Sequence, residues 1–446
     1  MKRAEPRDNL FNKNKKRSRV LSEPVRSRRR RLTMLPLLVL LVLASVADPA
    51  SAESHHCQEK RLKNVKQLTY GGGMNAEGYF SYDDKYITFQ ATAGRYGTNC
   101  DQIYQLDLSK DPKDDRNVRR ISTGLGSTTC SYFYGNNKDS LYAGNFHKIK
   151  IPSQNATVKS YDTCPLKKCR QNFTATDPLG KLCANSYTWD IYNDYDIFRV
   201  NEYGNIMQQL TNDQFYNAEA TFSPDGTKIV FTSDRSGDLE LYLMNSDGTN
   251  VTQLTSELGY DGGAFFSRDG KKIVWRASRP NTTAEIEKYK ALMNYSLVEP
   301  LDMELFVMNV DGSNKRQITH LGNANWAPFY LNDSKTIIFS SNYAGSASGY
   351  GAFGLYLIND DGTGLEQVTY GKGEFNSFPM MNFAGTKLVW GSSRNGGPEE
   401  LDLFIADWVY DPPKEDLCKA HNSAASLSTF VTFAAALFTL LGFVSQ

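Results

Sequence analysis

The stretch Phe222–Thr255, FSPDGTKIVFTSDRSGDLELYLMNSDGTNVTQLT, decides the fold. With the residues just ahead of it, it holds four β-rich runs: EATFS, KIVFTS, LELYLMN and NVTQLT. Pro224-Asp225-Gly226 separates the first pair of runs and Ser246-Asp247-Gly248 the last pair. An Asp-Gly pair supplies the positive-φ geometry of tight hairpins, so the unit is a four-stranded antiparallel meander of about 40 residues. One such unit cannot bury both of its faces and needs neighbours.

The neighbours are present. The closing signature recurs as QLT at Gln67–Thr69, RIS at Arg120–Ser122 and QLT at Gln209–Thr211 and Gln253–Thr255. It continues as QIT at Gln317–Thr319 and QVT at Gln367–Thr369. First-strand copies include GYFSYDDKYITF from Gly78, AFFSRDGKKIVW and PFYLNDSKTIIF, with weaker ones in SYFYGNNKDSLY and PMMNFAGTKLVW. Four-stranded repeats at this period predict an all-β chain folded as a six-bladed β-propeller. The last repeat stops after LDLFIADWV (Leu401–Val409), while the first QLT, in NVKQLT at Asn64–Thr69, has no repeat before it. The N-terminal segment is therefore expected to supply the outer strand of blade six, closing the ring and removing an unpaired edge.

These phrases resemble the six-bladed propeller repeats of the TolB-like group, seen also in tricorn and dipeptidyl-peptidase propellers. GTNCDQIYQLDL, STTCSYF, YDGGAFFS, ANWAPF and FIADWV are similar above all to secreted proteins made of this propeller alone. The resemblance covers about Val65 to Val409 and implies the fold; function it leaves open, because scaffolds, binding modules and enzyme appendages share the repeat.

Both ends carry targeting signals. Residues 1–52 read as a basic leader and secretory signal peptide: Arg28–Arg31, an apolar core from Leu35 to Ala47, and Ala50-Ser51-Ala52 before Glu53. A signal anchor is the alternative. After the propeller (61–409) and a linker (410–422), residues 423–446 hold FVTFAAALFTLLGFV at Phe430–Val444. That resembles a glycosylphosphatidylinositol signal with Ser423 as the attachment residue; a transmembrane tail is the alternative. Between Glu53 and Asn422 there are 37 Lys and Arg against 45 Asp and Glu, a balance of about −8. An acidic surface argues against a nucleic-acid partner, which needs phosphate neutralisation.

Seven cysteines suit an oxidising compartment. Blade alignment predicts Cys100–Cys130 and, flanking the propeller, Cys57–Cys418. Cys164, Cys169 and Cys183 share one loop, where two pair and one is left over; no His stands with them as in a zinc site. Sequons begin at Asn155, Asn172, Asn250, Asn281, Asn294 and Asn332, predicting a glycoprotein. Two insertions, Phe146–Tyr195 in blade two and Ser278–Leu301 in blade four, project from one rim, and the second includes the helical-looking AEIEKYKALMNYSLV. Long loops on one rim either carry recognition or merely cover it.

Catalytic motifs are missing: no Gly-x-Ser-x-Gly elbow and no His-Glu-x-x-His pair occur, so no catalytic, metal or cofactor residue is assigned. Aligned first strands place Glu77, Glu219, Gly263, Trp326 and Phe378 in register, with Asn75, Asn217, Asp261, Ala324 and Asn376 two residues earlier. These positions are expected to open toward the channel axis, facing Arg95, Arg235, Arg276 and Arg394 after the second strands. Glu77, Glu219, Asp261, Trp326, Asn376 and Arg276 form the candidate binding set, for cationic or hydroxyl-rich ligands. Glu–Arg pairs that tie blade to blade explain the same residues equally. The functional expectation is a membrane-anchored cell-surface module binding a protein, peptide or glycan. The alternative is a hydrolase or lyase using the mouth carboxylates, with or without a divalent metal.

Overall fold

A computed structural model describes residues 56–149, 163–174, 176–184, 186–344, 352–397 and 400–413. Ser423, the Phe430–Val444 tail, the leader, Cys418 and Asn155 lie outside the described residues.

Six four-stranded antiparallel sheets follow one another around a ring. Blade three, the stretch that decided the fold, runs Asn217–Phe222, Lys228–Ser233, Glu240–Asn245 and Thr252–Gln253. In blade six the strands Asn376–Met381, Lys387–Ser392 and Asp402–Trp408 are completed by Leu62–Gln67 from the other end of the chain. That strand pairs Leu62 with Trp408 and Gln67 with Phe404, so the ring closes as the repeat count required. A buried ion pair secures the closure: Arg394, 1% exposed, holds Glu59, 0% exposed, at 3.1 Å.

The closing signature has a physical reading in every blade. Its middle residue (Leu68, Ile121, Leu210, Leu254, Ile318 or Val368) is buried in the core. Its last residue turns a hydroxyl inward to accept the first free amide of the third strand. Ser122 accepts from Ile103 (3.0 Å), Thr211 from Ile197 (2.9 Å) and Thr255 from Leu241 (2.8 Å). Thr319 accepts from Leu305 (2.7 Å), Thr369 from Leu355 (2.8 Å) and Thr69 from Leu403 (2.9 Å). A buried amide left unpaired costs about 1–3 kcal/mol, which is why this position wants Thr or Ser.

Each first strand then breaks its register once, by a bulge centred on Glu77, Cys130, Glu219, Gly263, Ala327 or Phe378. All six residues have φ between 48° and 59°. The extra residue re-aims the chain at the channel mouth. Two residues further on, Tyr79, Tyr132, Phe265 and Phe329 point at the axis and pack against one another. Their centroids lie 5.6 Å apart for Tyr79–Tyr132, 5.9 Å for Tyr79–Phe265 and 5.2 Å for Phe265–Phe329. From the far side Arg268 spans the axis, its guanidinium 5.2 Å from the Phe329 ring and 4.5 Å from Phe383. The channel is plugged, so its mouth is blind.

The cysteine pairing differs from expectation. Cys100 is joined to Cys164, with Cα atoms 5.6 Å apart, and Cys169 to Cys183. Cys130 is a free thiol. It sits on a bulge and faces the mouth, whereas Cys100 lies on the outer rim where the blade-two insertion passes. Cys57 is disulfide-bonded, while its expected partner Cys418 is outside the described residues.

The latch yields a prediction. Arg394→Met strands the Glu59 carboxylate in the core and should cost about 3–5 kcal/mol in denaturant unfolding, whereas the double change Glu59→Gln/Arg394→Met should cost less than the single one. Additive losses would mean that the two groups are not coupled.

Candidate functional site

The bulge ring brings residues from six blades to one place, and the insertions roof it. From blade two, Trp189–Asp190 pairs antiparallel with Leu297–Val298 of the blade-four insertion. The amide of Ile191 donates to the Ser296 carbonyl at 2.9 Å, and Lys168 Nζ donates to the Tyr295 carbonyl at 2.7 Å. The roof therefore crosses blade three, joining chain segments more than a hundred residues apart. Upstream of its strand, the blade-four insertion forms a helix, Thr283–Asn294, started by a capping box of Thr282 and Glu285. Tyr289 of that helix donates its hydroxyl to Asp238 of blade three, docking the insertion on the ring.

Trp189 clamps roof to wall. One side of its indole stacks on Trp326 at 5.2 Å, and Arg276 lies 5.2 Å from its ring. Trp326 in turn stacks on Phe353, at 4.7 Å and an interplanar angle of 6°. Beneath the roof is a cavity of about 390 Å³. The aromatic plug is its floor; Glu77, Cys130, Glu219, Arg276 and Phe378 are in its walls. Few positions could be better suited to holding one small group, since rigid strands set the walls.

The two carboxylates differ. Glu219 accepts from the Tyr260 hydroxyl, the Gly263 amide (2.6 Å), the Thr232 hydroxyl (2.9 Å) and Arg276 Nη2 (2.6 Å). Its acceptor sites are taken, and it ties blade three to blade four. Glu77 accepts from the Tyr79 hydroxyl at 3.2 Å and from the Cys130 thiol. Burial pushes its carboxyl up to about 7, with the nearby Glu219 charge adding to the rise. Burial also pushes the Cys130 thiol well up, reinforced by Glu77 and Glu219. A thiol held neutral in this way is a poor nucleophile.

Of the expected set, Glu77, Glu219, Trp326 and Arg276 line the cavity. Asp261 and Asn376 do not: they are 0% and 1% exposed and point into the blades. Asp261 accepts from Trp275 Nε1 at 2.6 Å and from Arg279 at 2.8 Å. Asn376 accepts from the Ser392 hydroxyl at 2.7 Å. The pleat explains the miss, since a residue two before a bulge is turned away from the mouth. Asp261 is pushed up to about 6 by burial, against the opposing pull of Arg279. Blade five was aligned one residue early: its bulge is Ala327, not Trp326. Of the four arginines expected there only Arg276 lines the cavity: Arg235 pairs with Asp213 at 3.1 Å, Arg394 pairs with Glu59, and Arg95 lies 5.4 Å from the Tyr96 ring. Sequence reasoning missed Cys130 as a wall residue and Trp189 as the clamp. Counting back three from the buried anchors Phe80, Phe133, Phe222, Phe266, Tyr330 and Met381 would have found Cys130 and Ala327. Among the described residues no group of three or more His, Cys, Asp and Glu is placed to hold a metal ion.

The model of the TolB beta propeller domain matches residues 178–297. The propeller is TolB-like. Similar solved structures include a protein assigned as TolB from Agrobacterium tumefaciens, 16% identical over 76% of this chain and 91% of that one, with a TM-score of 0.44. An oligogalacturonate lyase from Vibrio parahaemolyticus is 12% identical over 77% of this chain and 93% of that one, with a TM-score of 0.40. The acylaminoacyl peptidase of Pyrococcus horikoshii is 14% identical over 75% of this chain and 45% of that one, with a TM-score of 0.41. No curated protein matches this sequence.

Alkylation tests the wall assignment. In the native protein at pH 8, Cys130 should react with iodoacetamide far more slowly than a free model thiol, because the thiolate is the attacking form and burial suppresses it. The rate should rise with pH beyond the range where ordinary thiols level off. A fast, pH-independent reaction would remove Cys130 from the buried wall.

Proposed function

We propose that this is an extracellular, membrane-anchored recognition propeller that binds part of a protein, peptide or glycan in the covered mouth. One observation carries the proposal: two insertions from different blades meet over a third and roof a blind cavity whose walls are part apolar and part charged. A merely protective loop has no need to converge with another above the axis. Walls on rigid strands with a roof of loops are the usual division of labour at binding sites. The disulfides at Cys100–Cys164 and Cys169–Cys183, and sequons at Asn172, Asn250, Asn281, Asn294 and Asn332 that are all exposed, fit an exported chain.

A hydrolase or lyase at the same mouth is less well supported. Such chemistry needs a carboxylate or nucleophile with a free valence facing the substrate. Glu219 is bonded to four donors and the Cys130 thiol is held neutral, which leaves Glu77 as the one bulge-ring carboxylate able to act, with no second bulge-ring group to share acid–base work.

Glycan and peptide arrays probed with the full-length protein test the reading. Trp189→Ala removes the clamp between roof and wall and should weaken any specific ligand about tenfold or more, as loss of a central aromatic does. Its melting temperature should move by only a few degrees, because the blades are untouched. Binding that survives Trp189→Ala undiminished would place the site elsewhere. Anchoring has its own test: phosphatidylinositol-specific phospholipase C should release the protein from cells if Ser423 carries the lipid, and retention with the tail peptide still present would indicate a membrane span.

A further inference from the structure

The mouth's charges do not balance. Four acids line the cavity (Glu77, Asp101, Asp190 and Glu219) against two bases, Lys167 and Arg276. Arg276 is committed to Glu219 at 2.6 Å, and Lys167 stands 3.9 Å from Asp190. Glu77 is bonded to neutral groups, the Tyr79 hydroxyl and the Cys130 thiol. Among the bulge residues it is therefore the carboxylate with acceptor capacity left for something cationic. The side of the mouth nearest blades five, six and one is apolar: Met74, Phe375, Phe378 and Leu401 line it, and Met74 is 40% exposed.

The two indoles of the mouth are unavailable as a flat platform. Trp189 is covered by Trp326 and Arg276, and Trp326 is covered by Trp189 and Phe353. A sugar ring, which needs an open aromatic face, would find those faces occupied. An aliphatic stem needs only apolar walls, and a charged head needs one unbalanced carboxylate. Lysine-like groups bury such stems while their charge seeks a partner.

We propose that the covered mouth takes a ligand group made of an aliphatic stem ending in a primary ammonium, with Glu77 as its counter-ion and Met74, Phe375 and Phe378 against the stem. The proposal rests on the mouth being the binding site. It narrows the ligand to a compact alkylammonium, of which the lysine side chain of a peptide is the commonest source. The head would enter a partly enclosed site, where a charge pair gains more than it does in open water. Glu77 must give up its proton to serve. Its carboxyl is pushed up to about 7 by burial, with the Glu219 charge adding to the rise and Cys130, Arg276 and Tyr79 opposing it. Lys167 and Asp190 in the roof and Asp101 of blade one, whose carboxyl burial also pushes up against the pull of Lys167, complete the charged groups around it. The ammonium keeps its charge throughout this range, so affinity should rise with pH as Glu77 ionises and fall below neutrality as it is protonated.

Calorimetric titration of the full-length protein with n-butylammonium, n-butanol and glucose provides the test. At pH 8 the ammonium should bind about tenfold or more tighter than its neutral isostere, and this preference should shrink to about threefold or less near pH 5.5. Near pH 7 its binding should release a proton, visible as a heat that changes with the buffer. Glu77→Gln should abolish the preference, whereas Glu287→Gln, on the exposed helix, should preserve it. If Glu77→Gln does not fold, the pH dependence of the unaltered protein decides. Equal affinity for ammonium and alcohol at pH 8, or a preference that survives Glu77→Gln, overturns the ammonium assignment. Glucose or n-butanol binding without that preference would spare the mouth as a binding site while sinking this inference, and binding of none of the three would count against both.

Discussion

The whole ring depends on one buried hydrogen bond, made six times: a Thr or Ser hydroxyl accepting the first amide of a third strand. At that point the blade narrows toward the mouth and no neighbouring strand reaches the amide, so a side chain must. The hydroxyl also has a proton to give. Thr69 gives it to Asp402 at 2.7 Å, Thr211 to Asp196 at 2.8 Å and Ser122 to Gln102 at 2.7 Å. Asp402 then accepts the amide of Asn75 in the next blade at 3.1 Å, which carries the linkage from blade six into blade one. Backbone bonds follow the same path, from Asn217 to the Tyr195 carbonyl (3.0 Å) and from Asp261 to that of Leu239 (2.8 Å). Each blade is thus locked to the one before it at the mouth, where the ring would otherwise be loosest. A site whose walls come from several blades needs that lock, since small rotations between blades would displace its walls by an ångström or more.

This wiring explains how much of the fold could be read from the chain. The hydroxyl at the end of QLT, the buried middle residue and the Asp-Gly hairpins each answer a local demand, so each leaves a mark at fixed spacing. Ser223 bonding Asp225 at 2.6 Å, and Ser267 bonding Asp269 at 2.6 Å, show the same logic in the FSPDG and FSRDG turns. The candidate site was less legible because it depends on a bulge, and a bulge changes direction without changing composition. Aligned first strands give Glu77, Glu219, Gly263 and Phe378 correctly. Cys130 and Ala327 occupy the same place in their blades, but the alignment does not give them. Asp261 and Asn376 have the right chemistry on the wrong side of the pleat, where they serve the wiring rather than the mouth.

The two insertions and their shared rim could be read, but not the pairing that makes them a roof. It consists of a two-residue ladder between Trp189–Asp190 and Leu297–Val298, and nothing in either segment names the other. Local periodicity marks partners that are close in sequence; these meet only because blades two and four flank blade three. The corrected disulfide belongs to the same fact. Cys164 lies in the insertion that builds the roof, and its bond to Cys100 holds the root of that insertion against blade one. With Cys169–Cys183 inside the insertion, both cross-links serve the roof and neither serves the blades.

Walls and roof therefore stand on unequal energetic footing. The walls are continuous strands whose amides are paired and whose bulges are fixed by core packing on either side. The roof has a short ladder, side-chain hydrogen bonds from Lys168 to the Tyr295 carbonyl and from Tyr289 to Asp238, a ring stack and a cation over an indole, contacts worth on the order of 1 kcal/mol each. Segments held by so few contacts open at far lower free energy than the core does. Cross-linking the root of the roof limits how far such opening can go, because a short tether confines the segment to the neighbourhood of the mouth. The result is a cavity whose shape is set by the propeller and whose access is set by the insertions. Divergence in what is bound would then fall on the roof and on the six bulge positions, since these alone can change without disturbing the hydroxyl-to-amide bonds that keep the ring closed.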